Sequence, residues 1–478
     1  MSGYPRLQRP ERPCPGIGIV HLGLGAFFRA HGALYVAEAM RASGGDWGIV
    51  GVSLKRPGQR DRLRPQGYAY MAVELAPGRE TAQVVDVVQD VLVAPEDPAA
   101  VLAAMAQPET RIVTLTVTEK GYCHEPAARR LNFDHPDIVA DLQNPGAPVS
   151  APGFLVEALR LRRAAGHAPF TVLTCDNLPE NGALVRRIVT DLARARDPAL
   201  ADWIGQEGRF PSTMVDRIVP ALRPGDTDRV AALTGYRDES PVLHEPFRQW
   251  VVEDCFVRGA RPDLPAAGVQ MVEDVTPFEL MKLRCLNGTH SAMAYLGFLA
   301  GYETVADVVA DPAFAGFVRR LWDSEICPGL APPPDIDFAD YTAALMARYG
   351  NPAIHHLTLQ IAMDGSQKLP QRLLQPIVEA RDAGRAMPGL TLAVAAWMRF
   401  VWGTDEAGHP IALSDPLALK LKKVMEGVRN PEACVDALLG LPEIFPARLA
   451  GNSGFRAELV FALERLVRLG ARRAVAEL

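Results

Sequence analysis

Around residues 272–277 the chain changes its hydrophobic period, and that change decides most of what it can fold into. Before it, short apolar runs alternate with amphipathic stretches; after it, helical periods run almost unbroken. Alternating strand and helix signals build an open, mostly parallel sheet with helices on its faces. A series of helices must instead bury its apolar stripes on one another. At 478 residues the chain is long enough for both. The expected fold class is α/β, with an α/β domain over 1–275 and a mostly α-helical domain over 276–478.

In the first part, strands are expected at 16–21, 47–54, 68–75, 81–93, 111–117 and 170–175. Helices are expected at 30–40, 98–105, 152–163 and 183–195. The first strand runs into Gly23-Leu24-Gly25, with Phe28 where a third glycine would stand. Glycines at a strand-to-helix turn let backbone approach a pyrophosphate, although a plain turn has the same pattern. The second strand ends Ser53-Leu54-Lys55-Arg56 where an acid for NAD ribose is usual, and Asp61 is the nearest acid downstream. A basic pair can receive a 2′-phosphate, so NAD and NADP both stay open. Two later strands end in polar groups: Thr118-Glu119-Lys120, and Asp176-Asn177. In open parallel sheets ligands sit beyond such carboxyl ends. Surface turns and helix caps look the same from sequence.

The second part opens on a helix expected over 277–301. At 100° per residue, with Lys282 at zero, Glu279 falls near ~60°, His290 near ~80° and Asn287 near ~140°. Apolar residues cover most of the rest, which marks a buried helix. A Glu–Lys pair three apart can be purely structural. Lysine usage argues for more. Of 50 Lys plus Arg, only seven are lysines: 55, 120, 282, 368, 420, 422 and 423. Arg cannot lose its proton, whereas a buried Lys can, and then serves as a general base. Further helices are expected at 312–326, 337–349, 369–383, 390–402, 416–427, 431–439 and 453–469, with 363–370 as a loop among them.

Composition excludes several classes. The net charge of −6, with no long basic run, argues against a nucleic-acid partner. No apolar run approaches a membrane span, and the first residues lack a secretory h-region. Seven scattered cysteines with no C-x-x-C pair point to reduced thiols in the cytoplasm and away from a metal. No tyrosine has a lysine four residues on, so the Tyr–Lys acid of short-chain dehydrogenases is missing.

The stretches IVHLGLGAFFRAH, TLTVTEKGY, TCDNLPENG, STMVDRIVP, KLRCLNGTH and DGSQKLPQR together resemble the long-chain polyol-specific dehydrogenases. That family includes mannitol 2-dehydrogenases, arabinitol dehydrogenases and fructuronate reductases. VEALRLRR, EPFRQWVVEDCF and QIAMDGSQKLPQRLL are similar to the fructuronate reductase branch, and Gln360 stands where mannitol enzymes tend to have arginine. The resemblance implies a Rossmann-type dinucleotide-binding domain followed by a helical substrate domain. It also implies NAD-dependent hydride transfer between a 2-ketone and a secondary alcohol of a hexuronate or polyol, without metal. It makes Lys282 the acid–base, Asn177 and Asn287 the carbonyl-polarising donors, and Glu279 the proton link to solvent. His290, Asp216 and Lys368 would bind substrate. Arg372 joins them as a cation for a substrate carboxylate, with Arg29 as another candidate. The cofactor set would be Gly23, Gly25, Phe28, Arg29, Thr118, Glu119 and Lys120. The expected partner is a sugar acid or polyol, the chain being a monomer or weak homo-oligomer. Rival readings are a mannitol-type polyol dehydrogenase, a sugar-acid dehydratase or epimerase that retains NAD, and a dinucleotide-binding regulator without turnover.

Overall fold

A computed structural model describes residues 3–125 and 128–478. The chain divides into two units, Met1–Thr276 and Pro277–Leu478.

The first unit is built on a five-stranded parallel sheet. Across it run Val88–Val93, Gly48–Ser53, Ile17–Leu22, Ile112–Leu115 and Thr171–Thr174. The central strands are near-continuous apolar runs because both faces are covered. Helices Pro98–Ala106, Ala151–Ala164 and Asn181–Arg196 pack on one face, and helix Gly32–Ser43 belongs to the core on the other. Chain direction across the sheet reverses between Ile17–Leu22 and Ile112–Leu115. A ligand crevice is expected beyond the carboxyl ends of those two strands. Two three-stranded sheets and a two-stranded one, His124–Glu125 with Arg130–Leu131, complete the unit among the described residues.

Two expectations are corrected here. Segment 81–93 is not one strand. Arg79–Val85 pairs antiparallel with Tyr70–Ala76, whereas Val88–Val93 joins the parallel sheet. The corner is held by Asp86, whose buried carboxylate takes the Arg12 guanidinium while its carbonyl accepts from Arg9. Segment 30–40 begins earlier, as helix Ala26–Ala30, and breaks at His31 before Gly32–Ser43. Gly32 sits so close to Phe28 that a Cβ would lie 2.6 Å from its ring.

The second unit is helical. Helix Pro388–Val401 is buried almost all round and packs on Thr289–Leu299 and Ser453–Leu469. Its first N–H groups are capped by buried Glu325, which accepts from Gly389 at 2.7 Å and Leu390 at 2.9 Å. Segment 363–370 is more regular than expected. Asp364 takes a left-handed φ of 56°, and helix Gly365–Leu369 follows at once. Gly365 is required there, because a Cβ would stand 2.6 Å from both Trp397 and Tyr295 side chains. No helix among the described residues is long and apolar enough to cross a membrane.

Candidate active site

Each unit carries its own set of the residues singled out by sequence. In the first unit they gather at the switch of chain direction. Gly23 has φ +91°, and a Cβ on it would lie 2.2 Å from the Thr116 carbonyl, so only glycine fits. Its N–H donates to the Val52 carbonyl at 2.9 Å. A Cβ on Gly25 would meet nothing nearer than 3.7 Å. The backbone there is open to approach, as a dinucleotide turn needs.

Phe28 and Arg29, both expected at the cofactor, turn their side chains inward. Phe28 stacks on His21 with ring centroids 3.4 Å apart. His21 is fully buried and shares hydrogen bonds with Thr114 Oγ1 at 2.7 Å and Thr116 Oγ1 at 3.0 Å. Burial pushes its pKa down to about 3, so the ring is neutral. The Arg29 guanidinium donates to the Ser240 carbonyl and lies over the Tyr70 ring. At 4 % exposure it serves the interior, whereas phosphate binding asks for an accessible donor. The close-packing glycine of this turn is Gly32, which the spacing of the first two did not reveal.

Thr118, Glu119 and Lys120 are exposed, on a short turn that opens with Thr118 at φ 64°. This turn is fastened by Asp176, which the sequence marks only as a polar group at a strand end. Asp176 accepts from the N–H of Val117 at 2.8 Å and of Thr118 at 3.1 Å, and from the Tyr122 hydroxyl at 2.7 Å. Burial pushes its pKa up, against the pull of those donors. One carboxylate thus ties the ends of two neighbouring strands. Asn181 locks the following turn, donating to the carbonyls of Asp176 and Thr213 and accepting from Thr213 N–H. Between these anchors Asn177 is exposed. Asp216 ends strand Thr213–Asp216 and is 5 % exposed, while neighbouring Arg217 is bonded to the carbonyls of Ala30 and Glu245. Lys55 and Arg56 are exposed beyond Gly48–Ser53, and Asp61 is paired with Arg60.

In the second unit the decisive feature is the path of the first helix. It runs Thr276–Met281, then a π turn over Lys282–Gly288, then Thr289–Leu299. A π turn closes five residues on and leaves carbonyls off the regular ladder. Side chains satisfy them. The Cys285 carbonyl accepts from Thr289 Oγ1 at 2.6 Å and Trp322 Nε1 at 2.9 Å. The Leu286 carbonyl accepts from Thr289 Oγ1 and the Tyr349 hydroxyl, both at 3.2 Å. The wide turn corrects the uniform-helix arithmetic. Asn287, five residues after Lys282, comes round towards its face instead of standing ~140° away. Lys282 and His290 are each 7 % exposed, and Glu279 and Asn287 are half-buried.

His290 lies against Tyr349, with centroids 4.7 Å apart, and edge-on to His356 at 5.2 Å. Burial holds His290 well below the ordinary histidine range, and the charges of His356, Arg348 and Arg372 add to it. Its buried Nε2 has no hydrogen-bond partner among the described residues. His356 is pushed down to about 4 by burial, then by Lys368 and Arg348. Arg372 donates to Ser291 Oγ at 3.2 Å, next to His290, and Lys368 donates to the Met363 carbonyl at 2.6 Å. Two neutral imidazoles therefore sit in the field of three cations. Lys368 and Arg372 were expected at the substrate; Arg348 and His356 were missed, because no local pattern marks a residue that meets the motif only through the fold.

Family profiles match both parts of the chain: "Mannitol dehydrogenase Rossmann domain" over residues 17–266 and "Mannitol dehydrogenase C-terminal domain" over 274–467. The chain is 46% identical over 464 residues to the D-mannonate oxidoreductase of Escherichia coli (strain K12), covering 96% of this chain and 95% of that one. It is 40% identical over 480 residues to mannitol dehydrogenase 2 of Saccharomyces cerevisiae, covering 99% and 95%. Among solved structures, the Pseudomonas fluorescens mannitol 2-dehydrogenase ternary complex with NAD and D-mannitol superposes with a TM-score of 0.88 at 36% identity, covering 100% of this chain and 97% of that one. A substrate-free D-sorbitol dehydrogenase gives 0.89 at 34%, covering 99% and 98%.

Proposed function

The chain belongs to the mannitol dehydrogenase family, and from that premise we propose that it is a fructuronate reductase, interconverting fructuronate and D-mannonate with NAD. The observation that carries the choice of substrate is the cationic surround of His290. A hexuronate brings a carboxylate that a polyol lacks, and Arg348, Arg372 and Lys368 supply the field that favours it. The 46% identity to a D-mannonate oxidoreductase supports the same choice.

NAD, when bound, accepts or returns the hydride. The open backbone at Gly25 and the strand ends around Gly23 fit such a dinucleotide. NAD is preferred in this reading because the family resemblance and the NAD-bound neighbour outweigh the basic pair at Lys55 and Arg56. In oxidation, uncharged Lys282 takes the proton of the reacting hydroxyl; in reduction, its ammonium returns one. Asn287, brought round by the π turn, donates to the oxygen as charge develops on it, a role commonly worth about 3–4 kcal/mol. The resemblance assigns Asn177 as a second donor to that oxygen. Glu279, one turn before Lys282, is the acceptor through which the proton leaves. His290 Nε2 and Lys368 bind substrate, and Asp216 is assigned to substrate by its motif. The free thiols of all seven cysteines support a cytoplasmic setting.

The test compares kcat/KM for fructuronate and fructose with NADH at one salt concentration. A charge-assisted contact contributes about 1.5–3 kcal/mol, so fructuronate should lead by roughly 10–100-fold. Equal values, or a lead for fructose, would make the enzyme a mannitol-type polyol dehydrogenase.

A further inference from the structure

We propose that Cys123, His135 and Asp137 form a binding site for a borderline-soft divalent cation, with Zn²⁺ the best match. One ligand atom from each side chain lies within 4.8 Å of the other two. No contiguous zinc motif joins them, so their meeting is a product of the fold. Cys123 follows the turn Glu119–Tyr122 and has a left-handed backbone, φ 50°. His135 and Asp137 stand at the start of helix Pro136–Gln143. The backbone ties these segments: Asn132 N–H donates to the Cys123 carbonyl at 2.9 Å, and His135 N–H to the Asn132 carbonyl at 3.2 Å.

Thiolate, imidazole and carboxylate are the donors zinc takes, and three of them leave a fourth tetrahedral position for water. Ligand atoms around such an ion stand about 3.5 Å apart. Binding would draw the three side chains together to that spacing. The surroundings favour a cation. Asp137 and Asp141 place negative charge near Cys123. The cysteine binds a metal as its thiolate, so binding releases the thiol proton. Asp141 is not a further ligand, since it accepts from the N–H groups of Val149 and Ser150. His135 Nδ1 accepts from Asp137 N–H at 3.2 Å. Metal binding at either ring nitrogen ends that bond. It is a long one, and an N–H in a first helical turn can take water instead.

Cys123 adjoins Tyr122, whose hydroxyl holds Asp176. A bound ion would therefore brace the turn that carries Glu119 and Lys120. The full-length chain is titrated with Co²⁺, whose thiolate charge-transfer absorption reports a cysteine ligand. One equivalent should produce the band, and Zn²⁺ should displace it. Cys123→Ser should abolish it. His135→Asn keeps a good capping side chain; it should weaken Co²⁺ binding by more than about 100-fold, beyond the 10–100-fold of an outer-shell change. Cys14→Ser and Cys255→Ser alter exposed thiols and should leave the band intact. Should Cys123→Ser not fold, His135→Asn and Asp137→Asn decide the matter. No band in the wild type, or a band lost with Cys14 or Cys255 but kept in His135→Asn, overturns the site.

Discussion

Lys282 is a buried amine on the one helix that also carries Glu279, Asn287 and His290. Lys282→Ala should lower kcat by about 10²–10⁴-fold, the usual contribution of a general acid–base group, with NADH binding near wild type. Added primary amines should restore part of the rate. A variant keeping more than about a tenth of wild-type kcat would remove Lys282 from the chemistry. The scarcity of lysine singled out Lys282, which is buried, and G-x-G marked Gly23 and Gly25, which lie at the strand-to-helix turn. Arg29 misled, because a cation beside a glycine turn looks like a phosphate ligand until Ser240 and Tyr70 are seen around it. Arg348 was silent, since His290, on which its charge acts, lies far along the chain.

At the scale of elements, the helix from Thr276 to Leu299 was legible and its π turn was not. An apolar pattern that wraps nearly all round gives no phase from which to detect a slip. The groups that hold the turn, Trp322 and Tyr349, arrive from other helices. Thr289 is the local part of that support. Thr289→Val keeps the shape but removes the hydroxyl from the carbonyls of Cys285 and Leu286. Each carbonyl keeps its second donor, so the lost hydrogen bonds should cost about 0.5–1.5 kcal/mol. Urea unfolding should show that loss as a lower midpoint at unchanged m, together with a reduced kcat. Unchanged stability and rate would mean the turn does not depend on this hydroxyl. The same blindness explains 81–93. Its valines recur throughout, and the corner is held at Asp86 by Arg12 and Arg9, which lie far back in the chain.

For the molecule as a whole, buried histidines set the response to acid. His21 and His31 are pushed down to about 3, and His244 and His356 to about 4, chiefly by burial. Their folded-state pKa lies below the unfolded value of about 6.5. The unfolded chain therefore binds the extra protons, and stability falls as pH drops from about 6.5 towards 4. Each such group costs about 1.4 kcal/mol per pH unit in that window. Asp176, Asp238 and Glu325, pushed up by burial, act with opposite sign nearer the carboxylate range. The fall should begin near pH 6.5 and reach nearly its full slope by about pH 5.5. Denaturant melts at pH 7.5, 6.5 and 5.5 check this, and a flat profile would contradict it. The broad architecture was the most legible level of all, because the change from alternating to helical period spans whole domains and survives local errors.

A π turn holds one residue more than the α turn it replaces, so removing a single codon could return the helix to its regular form. Three donors, Thr289, Trp322 and Tyr349, hold the widened stretch between Lys282 and Gly288. That removal is a direct experiment. Deleting Leu283 should let the helix close as a regular α-helix, with everything after it kept in place by the core. Lys282 and Glu279 would then swing by roughly 100° relative to Asn287 and His290. The shortened protein should keep its helical circular dichroism and a cooperative melt while losing turnover almost completely. If it kept its activity, the bulge would be an accident of descent, with no part in aligning the amine with its amide.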